Sequence, residues 1–246
     1  MKKNLLAAVC FIILAVFAVF SPANALAALT VNGYLDDWDV TPGAYGASDW
    51  NPSPGVQYAV EDQYKDYLVP GYGGQKFDAE AIYFQRSGGK VYIAIVTGHP
   101  STGWASETPG DIYFKLADGT VYGLKTTGVD AGMFYMNPSW NKTPLWGGTI
   151  MTTMIDGTGT EIGLTDFIYE HTYYGTGLAN DHWVMEIAIP EWYFGDAANG
   201  EGAIRWTETC GNDYIDLAVT HTPEPATMSL LGLGLFGLLG LKRRSK

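Results

Sequence analysis

Between its two ends the chain alternates apolar and polar positions with a period of two, and glycine, proline and asparagine interrupt the runs. This is the pattern of half-buried strands. Glu80 to Arg86 and Lys90 to Val96 read as a hairpin around Ser87-Gly88-Gly89, with Ile82, Phe84, Val91, Ile93 and Ile95 on the inward face. Ile112, Phe114 and Leu116 alternate with Tyr113 and Lys115 before the turn signal Asp118-Gly119, after which Val121 to Lys125 returns. Gly132 to Met136, Asp166 to Tyr174, Trp183 to Ile189, Ala203 to Thr209 and Tyr214 to Val219 add further strand-like runs. Few windows hold a helical apolar period over ten residues. Strands at this spacing, without helices between them, predict an all-β fold: an antiparallel β-sandwich, jelly-roll-like.

The ends follow other rules. Met1 to Ala27 has basic Lys2 and Lys3, an apolar run from Leu5 to Phe20 and the small-residue pattern Ala23-Asn24-Ala25-Leu26-Ala27. It reads as a secretory signal peptide cleaved after Ala25 or Ala27. The competing reading, a membrane anchor, needs about 20 apolar residues, more than this run supplies. At the other end, Pro223-Glu224-Pro225 precedes a Leu/Gly-rich stretch and the cluster Lys242-Arg243-Arg244-Ser245-Lys246. Ala226 to Leu241, about 24 Å long as a helix, makes a short transmembrane helix that spans only by thinning the bilayer or by snorkelling. The basic cluster would hold its end in the cytoplasm. The Gly-x-Gly-x-x-Gly at Gly232, Gly234 and Gly237 lacks the preceding strand that a dinucleotide site needs.

Pro223, Glu224 and Pro225, the Gly/Leu helix and the terminal basic cluster resemble the PEP-CTERM sorting tail of exported bacterial proteins. That resemblance implies recognition by an exosortase, a membrane protease-transpeptidase that cuts at or near Pro-Glu-Pro and passes the protein to the cell surface or extracellular matrix. An anchor that is never cut is the other reading. Three regions follow: signal peptide 1–27, secreted domain 28–222, and sorting tail 223–246.

The secreted domain has eight basic and 25 acidic residues, a formal charge near −17. Phosphate recognition needs clustered Lys and Arg, so nucleic acid is excluded as a partner class. Only Cys210 survives signal cleavage, and the domain folds without an internal disulfide. The runs Val31 to Trp38, Asp78 to Phe84 with Lys90 to Ile95, and Met185 to Pro190 look like family 9 carbohydrate-binding modules and their DOMON-like relatives. That likeness implies a β-sandwich, often with structural calcium, and in some members a saccharide held between aromatic rings. The Gly/Trp-rich insert from Met136 to Gly163 departs from it.

Catalytic motifs do not stand out. There is no Gly-x-Ser-x-Gly elbow, phosphate-binding loop or His-Glu-x-x-His pair, which leaves a secreted glycan-active enzyme as a distant alternative. Two patterns carry binding chemistry. Asp36, Asp37 and Asp39 beside Asn32 offer hard oxygen ligands for a structural calcium ion, although the side-chain bonds of turns and caps are the favoured use of such a cluster. Trp50, Trp104, Trp140 and Trp146 lie among Gly, Pro, Ser, Thr and Asn, where an indole can face a saccharide or fold back as a lid. No acidic residue occurs from Ala131 to Ile155, which makes the stretch around Trp140 and Trp146 a candidate exopolysaccharide contact. The expected function is a non-catalytic surface or matrix protein in contact with glycans; a purely structural coat component with no small ligand is the alternative.

Overall fold

The computed structural model describes residues 28–42, 50–61, 74–144, 150–157, 159–173, 181–199 and 201–220. Ala28–His221 form one compact unit. The signal-peptide, transmembrane-helix and Pro223-Glu224-Pro225 expectations lie outside the described residues. So does Trp146.

Thirteen strands are described: β1 Gln57–Val60, β2 Ala79–Ser87, β3 Lys90–Thr97, β4 Ile112–Leu116, β5 Val121–Leu124, β6 Met133–Met136, β7 Trp140–Pro144, β8 Ile150–Ile155, β9 Thr160–Leu164, β10 Asp166–Tyr173, β11 His182–Pro190, β12 Gly202–Thr207 and β13 Tyr214–Val219. Their order is β1-β2-β3-β11-β10 in one sheet and β13-β12-β4-β5-β6-β9 in the other, with β7-β8 as a separate pair. All pairings are antiparallel. The predicted β-sandwich is the fold, and no α-helix occurs among the described residues.

The first predicted hairpin forms with Ser87 opposite Lys90, across the two-residue turn Gly88-Gly89. Both glycines have positive φ, 59° and 77°, which matches the twist of the flanking strands and which side chains with a Cβ resist. Ile82, Phe84, Val91, Ile93 and Ile95 all enter the core between the sheets, facing Ile112, Phe114, Leu124, Phe134 and Trp206. At one edge the Gln57 side chain exchanges two 2.8 Å bonds with the Thr220 backbone, tying the segment after β13 to β1.

The central strands β2, β3 and β11 of the first sheet are buried on both faces, which explains their unbroken apolar runs, while the edge strands β1 and β10 keep exposed positions. Leu29, Leu35, Trp38, Val40, Trp50 and Val56 lie across its outer face, over Ala81, Tyr83, Ala94, Val96 and Val184. The described residues 29–42 and 50–56 thus form a third layer, which the period-two pattern did not foretell because these residues form no strand of their own. The Met136–Gly163 insert is the β7–β8 hairpin and the edge strand β9.

Three buried carboxylates clasp separate segments together. Glu186 of β11 accepts from Asn32 N (2.9 Å), Gly33 N (2.7 Å) and Trp38 Nε1 (2.7 Å), pinning the third layer to the sheet. Asp111 accepts from Thr126 N (2.9 Å) and Ile155 N (2.8 Å), holding the β7–β8 hairpin beside β4. Asp213 accepts from Ala79 N (2.7 Å), joining the loop before β13 to the start of β2. Each is at most 1% exposed, and burial raises the pKa of each: Glu186 and Asp213 are pushed up to about 7, and Asp111 above its ordinary value.

Candidate functional site

The acidic loop proposed for calcium is organised around Glu186. Asn32 Oδ1 accepts from Tyr34 N at 2.7 Å, an Asx turn, and Asp37 Oδ2 accepts from Thr30 N and Oγ1 at 2.7 and 2.9 Å. Asp36 opens a single 3-10 turn, Asp36–Trp38, and Asp39 closes it in the left-handed conformation at φ 63°. Asn32, Asp36 and Asp39 are exposed and serve local turns. Among the described residues, no three His, Cys, Asp or Glu side chains gather closely enough to hold a metal ion. The local sequence favoured turn chemistry over cation chemistry; Glu186, 147 residues or more away, anchors the loop to the sheet.

The four loop tryptophans part company. Trp50, expected in an exposed loop, is 8% exposed and belongs to the third-layer core, where it meets His182 edge-to-face at 5.8 Å. Its sequence neighbours are polar, but Asn51 turns outward while the indole turns in. An indole enclosed in this way offers little of its ring to a saccharide. Trp140 is half-buried at the start of β7, 5.3 Å from Tyr113 in an edge-to-face contact. A Cβ at Gly123 would stand 2.7 Å from Trp140 Cζ2 and 2.8 Å from Ile155 Cδ1, so the ring lies flush on β5. Through Trp140 and Ile155 the hairpin of the acid-free stretch packs over β4 and β5. Trp104 is the one of the three described rings that stands clear, 50% exposed.

Trp104 sits on a tight reverse turn. Its N–H donates to Glu107 O at 2.9 Å, and Glu107 N donates back to Trp104 O at 3.0 Å. Gly103 and Ala105 both take positive φ, 84° and 56°. For alanine that conformation costs about 1 kcal/mol. Lys76 Nζ lies 5.8 Å from the centroid of the indole and 2.7 Å from Asp181 Oδ2. The other Asp181 oxygen bonds His171 Nε2, and the His171 ring stacks on Trp183 at 4.7 Å with 10° between planes. Burial works to raise the Asp181 pKa, but the bonds from Lys76 and His171 hold it below its ordinary value, so the carboxylate is charged. The Lys76 and Asp181 side chains are partly buried, 19% and 24% exposed. The group gathers an exposed indole, a cation, an anion and an imidazole at one edge of the first sheet. The sequence named Trp104 but not its company, because residues 76, 104, 171, 181 and 183 come from four separate segments.

A cleft, a cysteine and two buried histidines lie outside these groups. A cleft of about 480 Å³ runs beside the third layer, lined by Thr30, Lys90, Tyr92, Asp166, Phe167 and Ile168, with a 2.8 Å ion pair between Lys90 and Asp166. Cys210 is half-buried, and burial first, then Glu208, push its thiol up to about 12, so it is a poor nucleophile. His99 and His182 are buried at 0% and 1%.

Residues 221–244 match the PEP-CTERM protein-sorting motif. No curated protein and no solved structure matches the chain. The family 9 carbohydrate-binding-module likeness therefore gains no support from relatives, and only the β-sandwich it implied stands.

Proposed function

We propose that this chain, which carries a PEP-CTERM sorting motif at residues 221–244, is a non-catalytic display protein: a β-sandwich that an exosortase delivers to the cell surface or extracellular matrix, where it contacts glycans. The motif itself means export and exosortase-dependent surface or membrane-associated localisation. The observation that carries the reading is the spacing between fold and motif. β13 ends at Val219 and its tie to β1 at Thr220, so a cut near Pro223-Glu224-Pro225 removes no strand and no described bond of the sandwich. Sorting and folding are separable on those terms.

The experiment is intact-mass analysis of the protein in a host with an active exosortase. The wild-type extracellular form lacks the Leu/Gly stretch and Lys246, and Glu224→Ala accumulates uncut in the membrane fraction. An extracellular wild-type protein with Lys246 still attached overturns the reading.

A further inference from the structure

We propose that the edge built from Trp104, Lys76, Asp181, His171 and Trp183 is a binding site for neutral, hexose-based polysaccharide. The site names the contact surface within the glycan reading above and rests on it. Saccharides offer an apolar C–H face and a rim of vicinal hydroxyls. An exposed aromatic ring receives the first, and paired donors and acceptors receive the second. Trp104 provides the ring, half of it open to solvent. Asp181 provides the acceptor, and the Lys76 ammonium, which spends one N–H on Asp181 at 2.7 Å, provides the donors beside it, while His171 holds the other Asp181 oxygen in place.

Electrostatics selects the class of glycan. Lys76 and Asp181 cancel, and Glu107, across the turn from Trp104 with its carboxylate held by the Thr209 and Ser106 hydroxyls, leaves the edge with a negative balance, so it lacks the clustered cations that acidic polysaccharide needs. The rest of the domain, near −17 in formal charge, disfavours anionic chains.

The backbone adds an independent sign. Ala105 holds positive φ where glycine would be unstrained, and the turn it belongs to projects Trp104 outward. Strain kept at a residue that presents an exposed ring is the pattern of a ligand-facing turn. Below, the stacked His171 and Trp183 rings fix the imidazole, and Trp183 meets Tyr169 edge-to-face at 6.0 Å, so the polar group stands on a rigid floor.

The test is affinity electrophoresis of the exported protein through gels containing hydroxyethyl cellulose, dextran or alginate. Retardation is expected on a neutral gel and not on alginate. Trp104→Ala and Asp181→Asn each weaken it about tenfold or more, as for one lost stacked or charge-assisted contact, Trp104→Phe gives an intermediate loss, and melting of the Trp104 variants is unchanged. Trp192→Ala, which removes an indole 72% exposed elsewhere on the surface, serves as the control for general stickiness. Retardation that survives Trp104→Ala, or falls equally in Trp192→Ala, overturns this site while leaving glycan contact standing. Absence of retardation on both neutral gels, or retardation on alginate alone, overturns the neutral-glycan assignment, and surface labelling of the same cells reports separately whether display itself holds.

Discussion

Replacing Glu186 with alanine tests the clasp that holds the third layer. The wild-type carboxylate accepts three bonds, from Asn32 N, Gly33 N and Trp38 Nε1. Asn32 is exposed, so its N–H can turn to water; Gly33 and Trp38 are buried, Trp38 at 1%. Two buried donors left without acceptors cost about 1–3 kcal/mol each. Loss of the side chain's packing beneath Trp38 adds about 1 kcal/mol. The expected loss is about 3–7 kcal/mol, a large part of the roughly 5–15 kcal/mol that stabilises a domain. Urea unfolding of the exported protein reads the total. Limited proteolysis reads its location, since cleavage between Thr30 and Val56 should precede cleavage within the sheets. Gly33 sharpens the expectation, because its φ of +80° and its approach to Thr172 and Glu170 leave the loop few other ways to dock. A loss under about 1 kcal/mol, or proteolysis that begins in β4–β6, refutes the view that Glu186 pins this layer.

Two further predictions concern charge and packing. Because Glu186 and Asp213 hold their protons up to about pH 7 when folded, from ordinary values of 4.5 and 3.8, the folded protein binds more protons than the unfolded chain across that window. Their stabilisation is complete below about pH 4 and drains as pH rises towards 7, so the melting temperature should fall from pH 5 to pH 8 and Asp213→Asn should flatten the fall; a curve that instead rises through neutral pH contradicts the burial argument. At the hairpin, Trp140→Ala should cost about 2–3 kcal/mol, below the 3–5 of a fully buried Trp, and leave glycan retention unaltered. Gly123→Ala should cost about 1–3 kcal/mol through overpacking against Trp140, and less in the Trp140→Ala background; equal costs in both backgrounds would mean that the ring does not rest on β5.

The sequence by itself determined the class of fold, the main strand pairs and the sorting address. Ile82, Phe84, Val91, Ile93 and Ile95 face the core because side chains alternate along a strand, and Gly88-Gly89 sets the register of their hairpin through backbone sterics alone. The tail is legible because residues 221–244 are read as a linear motif, in the order in which they are synthesised. Tertiary structure decided which aromatic rings are available and what the buried acids do. Trp50 and Trp104 have similarly polar neighbours, but one is enclosed by the third layer and the other projects from a turn, a difference set by residues far off in the chain. Asp37 and Glu186 are both acids in sequence. One is used in a local turn and the other clasps a layer 148 residues away, because burial and hydrogen-bond partners depend on which segments meet, and period-two alternation carries no information about that.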